Sequence, residues 1–128
     1  MGSATTAQIA AGSHLPITQI KVIETETIYP VGAFEVTFYP SQHAPLATNS
    51  AISGTVAAPL TLPAPYTAWK LGQAYTLVIG HPKGRMLIQG SAGFVPGALA
   101  EIEVDAVFLG TGGLPTLPKA HQIGRRDG

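Results

Sequence analysis

The sequence offers few groups able to do chemistry. It has no cysteine, and its histidines are His14, His43, His81 and His121, so a bound zinc would have to rest on imidazole and carboxylate alone. His43 is the best placed of them, because it follows Phe34-Glu35-Val36-Thr37-Phe38-Tyr39-Pro40-Ser41-Gln42. There Phe34, Val36 and Phe38 alternate with Glu35, Thr37 and Tyr39, the period of a strand with one strongly buried side. Pro40 has no donor to give a ladder and is expected to end the pairing, leaving His43 on a loop just past the strand. An imidazole held there suits metal ligation or acid–base work, although without further context a lone histidine is more often an ordinary loop residue.

Two glycine-rich segments could face it. Gly90-Ser91-Ala92-Gly93-Phe94 and Gly110-Thr111-Gly112-Gly113-Leu114 each follow an apolar run, and small residues let a backbone approach a ligand closely. Ser91, His43 and Asp105 contain the groups of a Ser-His-Asp triad. However, Gly90-Ser91-Ala92-Gly93 is one residue short of the Gly-x-Ser-x-Gly nucleophile turn and lacks the lysine of a phosphate-binding loop. Asp105 opens an apolar run, where it would either orient a neighbouring ligand or serve as a cap. His81, before Pro82, reads as a turn residue, and His14 as part of a link.

The elements that must position these groups are mostly short strands. Ser3 to Gly12 reads as a helix with Ser3 as N-cap and Gly12 as its stop, and with little apolar bulk beyond Ile9 it needs something to lean on. Ile17 to Ile23 alternates like a strand. From Ala44 to Gly72 the chain turns to Pro, Ala, Thr and Ser, a long loop expected to border a cleft or pack as a lid, with one short strand at Ile52–Val56. Tyr66 and Trp69 in it could rest on a substrate, but aromatic residues are more often found on the core, and that is the expectation here. Ala74–Ile79 and Arg85–Gln89 flank His81-Pro82-Lys83-Gly84 and read as a β-hairpin. Val95–Ala100 suggests a helical turn, and Val104–Leu109 a fully buried strand.

In this order, the segments Pro40–His43, Gly90–Phe94 and Gly110–Leu114 with their strands resemble the C-terminal half of the metallo-β-lactamase-fold hydrolases, over about Gly2 to Leu114. The resemblance implies an α/β fold, part of an αββα sandwich, β-rich, with about seven strands and one or two short helices. It implies that His43 is the family's isolated histidine ligand to Zn2+ or another divalent metal. Ser91 stands where the family carries its bridging aspartate, so Gly90, Ser91, Thr111 and Gly112 would line the site and Asp105 would support it from behind. The intact fold would hydrolyse a small-molecule ester, lactone, amide or phosphodiester by metal-polarised attack of hydroxide. The His-x-His-x-Asp-His motif is absent, and in the family it precedes this region. The chain therefore reads as a fragment that begins after the motif, spans residues 1–114 of the fold and ends in a loose tail at 115–128. Alone it is expected to be inactive and to hold no metal tightly, since one histidine binds zinc weakly. The other reading is a non-catalytic β-rich binding or structural domain.

Composition narrows the partners. In 128 residues Lys plus Arg and Asp plus Glu both number 7, so no field draws the chain to nucleic acid or an anionic membrane. No apolar run approaches the ~20 residues of a membrane span, and a soluble chain is expected, with the cytoplasm slightly favoured. Hydrophobic residues make up 45% and charged ones only 11%, a balance that predicts exposed apolar faces and self-association through them.

Overall fold

The computed structural model describes residues 1–44, 51–91 and 93–110. The chain divides into two units, Met1–Glu24 with Ala47–Gln73, and Thr25–Leu46 with Ala74–Gly128. Among the described residues the regular structure is one α-helix, two short 3₁₀ helices and one five-stranded mixed sheet.

In the first unit, helix α1 spans Ala4–Gly12. Ser3 caps it as the sequence suggests, its Oγ accepting the Thr6 N–H at 3.2 Å, although the C-terminal cap falls on Ser13, one residue past Gly12. What the helix leans on is the Pro- and Ala-rich stretch of the same unit. Its buried residues are small, Thr5, Ala7, Ala10 and Gly12, which lets backbone come close. A Cβ on Gly12 would strike the Leu60 backbone, and the Val56 N–H donates to Thr5 Oγ1 at 3.2 Å. Two strands expected in this unit are corrected. Ile17–Gln19 is a 3₁₀ turn, with a single parallel bridge between Gly2 and Val22 in place of a ladder. Residues 52–56 form no strand; instead Leu71 and Gly72 donate to the carbonyls of Ile52 and Gly54. Tyr66 is 74% exposed and Trp69 37%, so neither is a core residue.

In the second unit the strands are β1 (Ile28–Val31), β2 (Phe34–Ser41), β3 (Ala74–His81), β4 (Gly84–Gln89) and β5 (Ala106–Leu109), in that order across the sheet. β1 to β4 pair antiparallel and β5 joins β4 in parallel, so the segment between β4 and β5 must cross back over the sheet. Among the described residues five strands replace the seven or so expected, in one sheet, and the α/β, strand-rich class stands at that level.

Three strand expectations change. Pro40 does not end β2, because Pro40 still sits opposite Tyr75 and Ser41 opposite Ala74. The face carrying Phe34, Val36 and Phe38 is not uniformly buried. Phe38 is 9% exposed, held edge-on between Tyr29 and Tyr75 with ring centroids 6.0 and 5.8 Å away, whereas Phe34 is 48% exposed. The opposite face is the better covered, with Ser41, Thr76, Val78, Leu87 and Gln89 all buried. Last, β5 is the reverse of a fully buried strand, exposed along its whole length.

Candidate functional site

Strand direction decides which loops meet. β2 and β4 both run antiparallel to β3 and hence parallel to each other, and β5 follows β4. Their C-terminal ends therefore share one edge of the sheet, so His43, Ser91 and Gly110 leave it on the same side. Backbone contacts lace the three exits together. Ser91 Oγ accepts the Ala44 N–H at 2.7 Å, and the Gly110 N–H donates to the Gln89 carbonyl at 2.7 Å. Gln89, buried, donates through Nε2 to the Gly93 carbonyl. The glycines are required by this closeness: a Cβ on Gly93 would run into the carbonyl oxygens of Gln42 and His43, and one on Gly110 into that of Gly90. His43 itself is exposed, and Gly90 has open space above it. Thr111 and Gly112, the other expected lining residues, lie outside the described residues, as does His121.

Asp105 stands at the other end of the sheet. It precedes β5, and its Oδ2 accepts the Arg85 N–H at 2.7 Å while its own N–H donates to the Arg85 carbonyl at 2.9 Å. This pair of bonds fastens the start of β5 to the start of β4. A carboxylate there is remote from His43 and Ser91, so the three do not assemble as a catalytic triad. His81 belongs to the same far end. Its Nδ1 accepts the Lys83 N–H at 3.2 Å inside the hairpin turn, and its ring lies 5.0 Å from that of Phe34. His14 takes a left-handed backbone conformation, φ 58°, just past the end of α1. Among the described residues no group of three or more His, Asp or Glu side chains is placed to hold a metal ion.

Sequence reasoning missed a groove of about 330 Å³ at this far end, lined by Ala33, Glu35, Gly80, His81, Pro82 and Arg85. Its origin is a cross-strand row in which Glu35 lies opposite Gly80 and Gly80 opposite Arg85. The missing side chain at Gly80 leaves a gap between a carboxylate and a guanidinium two strand spacings apart, about 9.6 Å at Cα. A glycine inside an otherwise apolar strand, Ala74-Tyr75-Thr76-Leu77-Val78-Ile79-Gly80, was the available signal.

One titratable group is clearly perturbed. Burial, and then the neighbouring phenol of Tyr29, hold the Tyr75 hydroxyl above its ordinary pKa of 10.0. It flanks Phe38 on the aromatic face and lies opposite Pro40, at the end of the sheet from which the His43 loop leaves. Among the described residues no helix is long and apolar enough to cross a membrane. The sequence matches no protein-family model, no curated protein and no solved structure.

Proposed function

We propose that this chain is a non-catalytic β-rich binding or structural domain. The observation that carries the reading is how the polar side chains of the expected site are used. Ser91 Oγ accepts a backbone N–H from the strand-end loop of β2, Gln89 ties down Gly93, and Asp105 fastens two strand starts at the opposite end. These groups hold the sheet together, and what the sheet presents outward is apolar: Val31, Phe34, Met86 and Phe108 are 37% to 58% exposed on one face. Large exposed apolar area on a sheet is a feature of surfaces that bind.

A second reading, the metal-dependent hydrolase fragment, is favoured by one specific observation. The loops after β2 and β4 do meet, and His43 is exposed beside them. In that reading His43 is one ligand of a divalent-metal site completed by residues outside this chain. Calorimetric zinc titration of the purified chain and of His43→Ala, with a generic ester and a phosphodiester offered as substrates, separates the two. The domain reading expects no stoichiometric zinc and no turnover. Tight zinc that His43→Ala abolishes, or a His-x-His-x-Asp-His motif encoded in frame upstream, would replace it with the second.

A further inference from the structure

We infer that the groove over Gly80 binds a small zwitterion, a free α-amino acid, with the ligand's ammonium on Glu35 and its carboxylate on Arg85. The inference goes beyond the reading above and does not depend on it, since a hydrolase fragment would carry the same groove. The two-residue turns of the β1–β2 and β3–β4 hairpins, Gly32-Ala33 and Pro82-Lys83, lie at the same end of the sheet. Ala33 and Pro82 give the groove its apolar walls, and Gly80 is its floor, with Glu35 and Arg85 on either side in one cross-strand row. Residues directly opposite one another share a face, and on this face Thr76, Val78, Leu87 and Gln89 are buried. The cover stops short of the row, where Gly80 is half-buried and Glu35 and Arg85 are exposed.

Three observations distinguish the groove from ordinary surface. The backbone at Gly80 does not demand glycine: it is outside the left-handed region, and an added Cβ would meet nothing closer than Glu35 Cβ at 3.7 Å. What the glycine supplies is therefore space. Second, the Glu35 carboxylate leans over that space, its Oε2 3.9 Å from the position of the added Cβ. Third, the two charges stand unpaired. Among the described residues the Glu35 carboxylate makes no hydrogen bond or ion pair, and Arg85 meets Asp105 only through its backbone.

Charge and span set the class of ligand. This end of the sheet carries two charges of each sign, Glu35 and Asp105 against Lys83 and Arg85. A simple anion on Arg85 would face Glu35 across the gap, and a simple cation on Glu35 would face Arg85. A molecule with both charges satisfies both walls. With the side chains standing off the sheet, the ~9.6 Å between the outer strands, less two charge-assisted bonds of ~2.8 Å, leaves about 4 Å between ammonium and carboxylate. An α-amino acid spans about 3 Å from its nitrogen to a carboxylate oxygen, and the lean of Glu35 takes up the difference. A dipeptide is longer by about 3.5 Å and does not fit between the walls. The groove's volume of about 330 Å³ leaves room for a small side chain against Ala33 and Pro82. Because both charges are exposed, the binding is of millimolar strength.

Titration of the ¹⁵N-labelled chain with L-alanine to about 50 mM at low ionic strength, followed by amide NMR shifts, covers that range. The expected result is saturable shifts at Ala33, Gly80 and Arg85, with Ala44 and Ser91 at the other end unmoved. Propionate and ethylamine, each with one of the two charges, should bind at least about tenfold more weakly. Glu35→Gln and Arg85→Gln should each remove the alanine shifts. So should Gly80→Val, which keeps both charges and fills the floor, and circular dichroism checks that all three variants remain folded. No saturable shift by 50 mM would overturn the proposal. Propionate or ethylamine matching alanine would overturn it as well, by showing that one wall suffices. Binding unchanged in Glu35→Gln or Gly80→Val, or shifts centred on Ala44 and Ser91, would place the ligand elsewhere and equally overturn it.

Discussion

Gly90 and Gly93 stand three residues apart in the loop after β4, and the same substitution at each should have opposite consequences. At Gly93 a new methyl group would land on the carbonyl oxygens of Gln42 and His43, both backbone, so the two loops must separate to admit it. Forcing one extra carbon into a packed site costs about 1–3 kcal/mol, and here it also strains the bonds from Gln89 to Gly93 and from Ala44 to Ser91. At Gly90 nothing lies within 4 Å of a new Cβ and the backbone is not in the left-handed region. There the substitution should be neutral or stabilising by about 0.4–1 kcal/mol, through reduced freedom of the unfolded chain. The expected difference between the variants is about 1–4 kcal/mol, a factor of roughly 5 to 700 in the folding equilibrium constant at 1.4 kcal/mol per tenfold. Urea titrations of Gly90→Ala and Gly93→Ala followed by circular dichroism read that difference directly, provided the two slopes agree. Equal midpoints would mean that the His43 loop does not lie against Gly93. The convergence of strand ends on which every reading of His43 depends would go with it.

Two further expectations concern other parts of the chain. Tyr75 is an acid whose folded pKa lies above its unfolded value of 10.0, so folding favours the protonated phenol. Its stabilising contribution is complete below the unfolded pKa and is lost as pH rises through the folded one. Urea midpoints should therefore fall steeply above about pH 10 and less steeply in Tyr75→Phe; an unchanged alkaline slope in that variant would assign the loss elsewhere. Removing the cap of α1 by Ser3→Ala should cost about 1 kcal/mol, seen as a lower urea midpoint, with Ser3→Asp retaining most of the stability. If Ser3→Ala and Ser3→Asp melt alike at a lowered midpoint, capping is not what Ser3 contributes.

How much of this was legible in the sequence depended on whether a signal was local. The Ser3 cap and the hairpin around Pro82 and Lys83 depend on a handful of consecutive residues, and they appear almost where the residues place them. The meeting of the His43 and Ser91 loops was expected only through a family resemblance; the pairing that brings it about, with β2 and β4 on either side of β3, depends on long-range contacts that no local signal carries. β1 was not, since Pro30 argues against a strand wherever the strand is not an edge, and its place at the edge is decided by pairing with β2. The Ile17–Ile23 alternation has the period of a strand but finds only one bridge, at Val22, so its backbone groups are met by a 3₁₀ turn. Val104 to Leu109 misled most. An unbroken apolar run has the composition of a buried parallel strand, and nothing in it says that the run is the outermost of the described strands.

That last point links the fold to what it does outward. A strand placed parallel to its neighbour is normally covered on both faces, since the crossing segment packs against one of them. Here the crossing begins with Gly93, held by Gln89 from the better-buried face, and ends at Asp105, held by Arg85. Both anchors lie on β4, and neither covers β5, which leaves Val107 exposed on one face and Phe108 on the other. Of the side chains read as catalytic candidates, Asp105 fastens the start of β5 to the start of β4 and Ser91 ties the loop after β4 to the loop after β2, so both serve the construction of the sheet.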